Sequence, residues 1–436
     1  MMSLLVRPVY ALAIYIGVLV WYPDYLRVSI GTLDISAGRI IVTVLLLRCL
    51  FNQNIRKNFT WMNLDTWVTV CMAVYVGMYC LVRPFGQAVE NRGGFIMDTW
   101  FPYLAARMLI RDRASFVSFM KMVSLTLGSL AVLGVVEAMT GWQPYRPLAE
   151  FRPWGVVVSG RQVSPRWGFT RATGPFSHSI LFGMCFLMFL PLIWTLRHEH
   201  GYWRKLAYLF SALAIVGAFS SMSSNPWAVS LFMIFLLAIE RYKHWAKPLV
   251  TGFIVFCVVV EFGSSRPFYH VLFSMANFAG GTWWQRARIM DAALATIGDW
   301  WLAGYGGRDP GWGQAANVYF TDINNEFLLA GANYGIWGIL AFCAVLAIAL
   351  RRLIHLHRTT MDPVLRSWAW AFGVLVVGLI VAFQGVSLFG QNVSLFYAIM
   401  GTLGAVTTFS APLLGHRRYV LQPHDEMLLD TTRTVA

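Results

Sequence analysis

The apolar positions of this chain run in unbroken blocks separated by polar connections, neither alternating nor keeping to one helical stripe. A hydrocarbon core about 30 Å thick takes roughly 20 helical residues to cross. A helix satisfies its own backbone hydrogen bonds in lipid, whereas barrel strands would read as alternation. The blocks therefore predict helical spans at 8–22, 36–52, 64–83, 95–110, 115–139, 178–196, 206–220, 226–241, 248–263, 325–350, 367–385 and 390–411. Asp98 and Pro102 interrupt the fourth, which marks it as a tilted, broken or partly re-entrant segment. The run from Val9 to Val20 has the length of a signal peptide, but no small-x-small cleavage site follows it, so it reads as a retained first span. The pattern predicts an all-α, polytopic integral membrane protein with about twelve transmembrane helices. Residues 1–139 would carry spans one to five, 140–177 a loop and 178–263 spans six to nine. A large loop at 264–324 separates spans nine and ten, the last three spans fill 325–411, and 412–436 is a tail.

Composition removes the soluble alternatives. The chain is 58% hydrophobic and 12% charged, against about a quarter charged in soluble domains, so it needs an apolar solvent. Its net charge of +14 does not gather into the stripe that binds nucleic acid. The basic residues lie between apolar blocks, as orientation by the positive-inside rule requires. With the N-terminus in the cytoplasm, Arg56, Lys57, Arg111, Arg113, Arg197, Arg204 and Lys205 fall in cytoplasmic connections. Arg241, Lys243, Lys247, Arg351, Arg352, Arg358 and Arg366 follow, with Arg417 and Arg418 in the tail. Every lysine, Lys121 included, lies on that half, and both termini are cytoplasmic. The cysteines sit within or at the edge of apolar blocks with no CxxC spacing, so neither a disulfide framework nor a zinc site is indicated.

The two long outer loops break this pattern. The first holds Arg146, Arg152, Arg161, Arg166 and Arg171, the second Arg266, Arg286, Arg288 and Arg308, and neither holds a lysine. Positive charge there opposes the orientation signal. An all-arginine choice points to bidentate recognition of phosphate or carboxylate, with ion pairing or snorkelling to lipid phosphates as the plainer alternative. From Trp283 to Leu302 the apolar positions Ile289, Ala292, Ala293, Ile297, Trp300 and Trp301 recur at helical spacing, predicting an amphipathic helix at the outer interface with tryptophan anchors. It runs into Gly304-Tyr305-Gly306-Gly307, a weak phosphate-cradle signal because no strand precedes it.

Four stretches stand out together. Arg171-Ala172-Thr173-Gly174-Pro175-Phe176-Ser177-His178 lies just before a span; Arg286 precedes the amphipathic helix and Leu302-Ala303-Gly304-Tyr305-Gly306. Asn324-Asn325 is followed, nine residues on, by Gly335-Ile336-Trp337-Gly338, and Ser220–Trp227 sits between two short spans. In order and spacing these resemble the O-antigen ligase and O-antigen polymerase superfamily of bacterial envelope glycosyltransferases, over about residues 165–345. That family carries Arg-x-x-Gly-[Thr/Pro]-Phe, Arg then helix then Pro-Leu-x-Gly-x-Gly, His-Asn then Gly-x-x-Gly, and a Ser-Arg-Gly hairpin. This chain departs from it at Asn324, in place of the histidine, and at Asn225, in place of the hairpin arginine.

The resemblance implies a GT-C-like architecture in the bacterial inner membrane, both long loops periplasmic and the active site facing the periplasm. It implies transfer of a polyprenyl-diphosphate-linked glycan, undecaprenyl diphosphate being the carrier, to a glycan or lipid acceptor among membrane lipids. No cofactor is expected: arginines can neutralise the leaving diphosphate, and the outer face has no DxD and no clustered His or Cys. Arg171, Arg286 and Arg288 are the candidates for the diphosphate, with Arg308 behind them. On a helix Arg286 and Arg288 diverge by about 200°, so only one of them points into a site. Candidate bases are Asp322, Glu326 and His178, with His270 more remote, and Asn324 can orient a hydroxyl without taking its proton. Glu326 at a span end calls for an external arginine or a wet cavity. Asp322 serves equally well as an N-cap of the tenth span, and His178 as a cap of the sixth. Trp283, Trp284 and Trp312, with Trp300 and Trp301, are candidates to stack on sugars, although an interfacial belt is the commoner use of tryptophan. The missing ligase-type histidine favours polymerase over ligase. A transporter or flippase, and a catalytically inactive relative, are the rival expectations.

Overall fold

The computed structural model describes residues 7–23, 25–30, 33–150, 165–240, 242, 246–265, 267–275, 283–317 and 321–409. The tail at 412–436 and Arg152, Arg161, Arg241, Lys243 and Arg266 lie outside the described residues. Of the described residues, 77% are helical. In order, helix α1 (Pro8–Trp21) leads to a hairpin of β1 (Arg27–Ile30) and β2 (Leu33–Ser36), then α2 (Ala37–Phe51), α3 (Gln53–Lys57) and α4 (Asn63–Val82). Next come α5 (Phe85–Asp98), α6 (Trp100–Leu109), α7 (Arg113–Thr140) and α8 (Arg146–Glu150). The second half holds α9 (Ser179–Trp194), α10 (Tyr202–Ser220), α11 (Ser224–Ala238), α12 (Ala246–Gly263), α13 (Phe268–Met275), α14 (Trp283–Ala295) and α15 (Ile297–Trp300). It closes with α16 (Glu326–Thr359), α17 (Pro363–Ala382) and α18 (Gln391–Val406).

Among the described residues every predicted apolar block falls mostly on helix. Five of the described helices are long and apolar enough to cross a membrane: α4, α7, α9 with its 3-10 extension to His198, α16 and α17. Helix α9 is the centre of the bundle, with 89% of its apolar window buried, between α10, α11, α17 and α18. Gly217 lets α10 lie flat on it, because a Cβ there would sit 2.6 Å from the Phe186 ring.

The fourth block is two helices. The chain breaks at Thr99 (φ −120°, ψ −71°) between α5 and α6. Asp98 is held there by Arg39 of α2, whose Nε and Nη2 donate to its carboxylate at 3.0 and 2.6 Å. A carboxylate within an apolar block needs such a partner, and the pair sits where the helix ends.

The expected helix over 283–302 also breaks, at Thr296, and one side of it is packed against the rest of the protein. Its apolar side, Ile289, Ala293 and Trp300, packs with Trp312, Ile323, Leu328 and Ala332 into a second core against the start of α16. Helix α16 is itself unwound at Gly335 (φ +69°, ψ −166°). The carbonyls and amides freed there bond to the glycine-rich loop: Tyr305 N–H donates to Ala332 C=O (2.6 Å), Gly306 N–H to Asn333 C=O (3.2 Å), and Ile336 N–H to Trp301 C=O (2.7 Å). Gly304 and Gly335 are required at this contact, since a Cβ on either would fall within 2.6 Å of facing backbone. The glycines of 304–306 thus serve backbone docking.

Candidate functional site

The site is assembled from the starts of α9, α11 and α16, the turn between α17 and α18, and one side chain from α14. Near the end of α7, the fully buried Glu137 accepts the backbone N–H groups of Thr173 (2.8 Å) and Gly174 (2.9 Å) on one carboxylate oxygen. Ala172 N–H donates to Ser220 C=O at 3.0 Å. Pinned on both sides, the 171–178 segment turns Arg171 inward, where Nη2 donates to Ser223 Oγ at 2.8 Å. Ser223 Oγ in turn donates to Ser221 C=O (3.1 Å) and lies 3.5 Å from Ser179 Oγ. Burial, and secondarily the charge of Arg166, push the Arg171 guanidinium down to about 10.

Arg286 arrives from the opposite side. Its Nη1 lies over Gly385, where an added Cβ would be 3.1 Å from it and would collide with Asn225 Nδ2. Asn225 Nδ2 donates to Ala382 C=O at 3.1 Å, which fixes the amide beside the arginine. The Nε of Arg171, the Nε of Arg286 and the Oδ1 of Asn225 are all buried without a hydrogen bond. Neither arginine forms an ion pair among the described residues. Burial lowers the Arg286 pKa below its usual value, and the charge of Asp322 partly restores it. A half-buried cation without a counter-ion is costly, and an anion would relieve either guanidinium. Among the described residues no three His, Cys, Asp or Glu side chains converge.

The acid–base candidates separate. Asp322 is exposed, accepts Asn324 Nδ2 at 3.0 Å, and lies close enough to influence both Arg286 and His178. It does not cap α16: Asn325 does, its side chain accepting Leu328 N–H at 3.0 Å while Nδ2 reaches Gln384 Oε1 at 3.2 Å. Among the described residues Glu326 pairs with no arginine. Its carboxylate accepts Leu388 N–H at 2.6 Å and its own N–H donates to Phe383 C=O, so it clamps the α17–α18 turn. His178 caps α9, its Nδ1 accepting Ile180 N–H at 3.1 Å. A neutral ring bonded this way carries its proton on Nε2 and is a donor, not a base. Partial burial first, then the charge of Arg171, hold its pKa below the usual value, with Asp322 opposing. His270 pairs with Asp291 at 3.0 Å, away from these groups.

Other candidates lie elsewhere. Arg288 is exposed, 5.6 Å over the Trp284 ring and 3.4 Å from Ala315 C=O, so it diverges from Arg286. Arg308, also exposed, follows the loop docked on α16, and its N–H donates to Tyr305 C=O. Trp312 is not available to a sugar. It is 3% exposed, edge-on to Trp300 and Tyr305, and its Nε1 donates to Thr296 Oγ1. Trp300 is buried likewise, whereas Trp284 and Trp301 are exposed; the side chain of Trp283 lies outside the described residues.

Sequence reasoning passed over Glu137, Gln384 and Gly385, and quoted Ser223 and Asn325 within motifs without giving either a role. For Glu137 a signal existed, a lone carboxylate at the end of an apolar block; the others are recognisable only by what they touch. No protein-family model matches this chain, and no curated protein matches it.

Proposed function

We propose that this protein is a bacterial inner-membrane glycosyltransferase. It would polymerise or ligate polyprenyl-diphosphate-linked glycans of the O-antigen or exopolysaccharide type on the periplasmic face. Twelve spans in a GT-C-like arrangement, both termini cytoplasmic and the loops at 140–177 and 264–324 periplasmic, belong to the same proposal. The observation that carries it is a pair of half-buried arginines set against one turn, Arg171 on Ser223 and Arg286 beside Asn225, each with an unbonded Nε and no ion pair among the described residues. The N-terminal ends of α9 and α11 meet at the hydroxyls of Ser179 and Ser223, 3.5 Å apart, and would add to the field for an anion.

In this proposal the acceptor hydroxyl oxygen attacks the anomeric carbon. The bond from that carbon to the phosphate oxygen breaks, and the electron pair leaves on the diphosphate between Arg171 and Arg286. Asp322 takes the hydroxyl proton, and Asn324, bonded to it, orients the carboxylate. Arg288 and Arg308 stand apart from this step, and Glu326 and His178 support it structurally.

The test is reconstitution of the purified protein with a labelled polyprenyl-diphosphate oligosaccharide. Longer or transferred glycan and free polyprenyl diphosphate are expected. Arg286→Lys keeps the charge and loses the planar fork, and should lower kcat by about 10²-fold; near wild-type turnover removes the clamp. Movement of the donor across the bilayer with no transfer would replace the enzyme by a transporter.

A further inference from the structure

Beside the arginine pocket, two non-glycine residues hold left-handed backbone, Trp167 (φ +53°) and Met222 (φ +47°). Trp167 and Gly168 (φ +80°) form the tip of a tight hairpin closed by Arg166 N–H to Phe169 C=O (2.9 Å) and the reciprocal bond (3.0 Å). Positive φ at both central positions suits Asn-Gly, and a bulky aromatic there is strained. The strained turn presents an indole that is 62% exposed. That ring lies 5.4 Å from Trp227 at 39°, and Trp227 is stacked on Phe219 at 5.1 Å and 14°. Trp227 is locked by Nε1 donating to Phe219 C=O at 2.9 Å. Arg166 Nη1 donates to Met222 C=O at 3.0 Å, which ties the hairpin to the turn bearing Ser223, the partner of Arg171.

We propose that Trp167 and Trp227 form a carbohydrate platform that receives pyranose rings next to the diphosphate pocket, an inference that rests on the glycosyltransferase proposal for its place in catalysis. A pyranose presents a face of C–H groups that matches an indole face, while its hydroxyls remain at the rim. A tryptophan serving an interfacial belt needs no special backbone and can stand at any helix end. A strained one persists only where its surroundings over-determine it, and such strain gathers at ligand sites. The ring is also one hydrogen-bonded link from the turn that positions Arg171, so a glycan attached to the bound diphosphate reaches it.

The experiment titrates the full chain in lipid nanodiscs with neutral hexaoses (malto-, manno- and cellohexaose), read by tryptophan fluorescence and saturation-transfer NMR. Saturable binding of at least one hexaose is expected. It should weaken about tenfold or more in Trp167→Asn and Trp227→Ala and persist in Trp167→Phe. Asn suits the left-handed turn, so Trp167→Asn should unfold later than wild type while binding sugar worse, a combination that a merely structural tryptophan does not give. No hexaose binding, unchanged binding in Trp167→Asn, or quenching of Trp167 by brominated lipid in place of sugar binding would overturn the platform. Because the probe has neither lipid nor phosphate, these outcomes are independent of turnover. Sugar binding with no transfer would sink the transferase alone.

Discussion

Replacing Glu137 by alanine removes the acceptor of two buried backbone N–H groups, those of Thr173 and Gly174. Each donor left without a partner costs about 1–3 kcal/mol, so the 171–178 segment should lose roughly 2–6 kcal/mol of local stability. Glutamine can offer one neutral oxygen to the same two donors, and a neutral acceptor is about half as strong as a charged one. Glu137→Gln should therefore cost only about 1–2 kcal/mol. The assay is amide hydrogen exchange of the peptide spanning Arg171 to His178 in nanodiscs. At 1.4 kcal/mol per tenfold, exchange should accelerate by about 30-fold to 10⁴-fold in the alanine variant and by about 5-fold to 30-fold in the glutamine variant. The consequence for function follows from the same pinning, because Arg171 is aimed at Ser223 only while this segment is held. Glu137→Ala with wild-type exchange at Thr173 and Gly174, or equal effects of the two variants, would refute the reasoning.

Two further outcomes follow from the geometry. The lowered His178 pKa should move up in Arg171→Gln, which removes a repelling charge, and further down in Asp322→Asn, which removes an attracting one; NMR titration of the imidazole checks both directions. Since the folded-state pKa is depressed, the neutral ring's contribution is present above the ordinary histidine value of about 6.5. It is lost as pH falls through the lowered one, so His178→Ala should flatten the acid limb of the stability profile. Gly335→Ala must adopt φ +69° and place a Cβ 2.6 Å from Leu302 C=O. Left-handed backbone costs about 1–2 kcal/mol and overpacking about 1–3 kcal/mol, so detergent unfolding should report a loss of roughly 2–5 kcal/mol; a variant as stable as wild type would deny the docking.

Helix positions were legible because burial in lipid is written as an unbroken apolar block, and Asp98 announced the break in the fourth. Its partner there, Arg39, lies 59 residues earlier and leaves no local mark. The same limit explains Glu326, whose partner Leu388 comes from the far end of α17, and Trp312, whose burial depends on α14 and α15 folding over it. Both looked like surface groups because their surroundings are long-range. The divergence of Arg286 from Arg288 was legible, since helix geometry alone requires it. Left-handed backbone at Trp167 was not, because nothing in Arg166-Trp167-Gly168-Phe169 except the glycine signals a turn.

The two glycine motifs, one inside the large loop and one just after it, make sense only as a pair. An α16 unwound at Gly335 exposes backbone groups that must be satisfied where water is scarce, and the 301–306 segment satisfies them. That segment is continuous with α14 and α15, and Trp300 is seated against Gly331 of α16, where a Cβ would be 2.7 Å from its ring. Arg286 is thereby carried on a helix fixed to a long apolar helix, although it belongs to what reads in sequence as a loop. In the proposed transferase a clamp for charge would have to be held in place before the charge develops, and this docking would supply the rigidity. Spacing between an arginine, a helix and two glycine pairs is thus a packing constraint first, on which the proposed chemistry would depend.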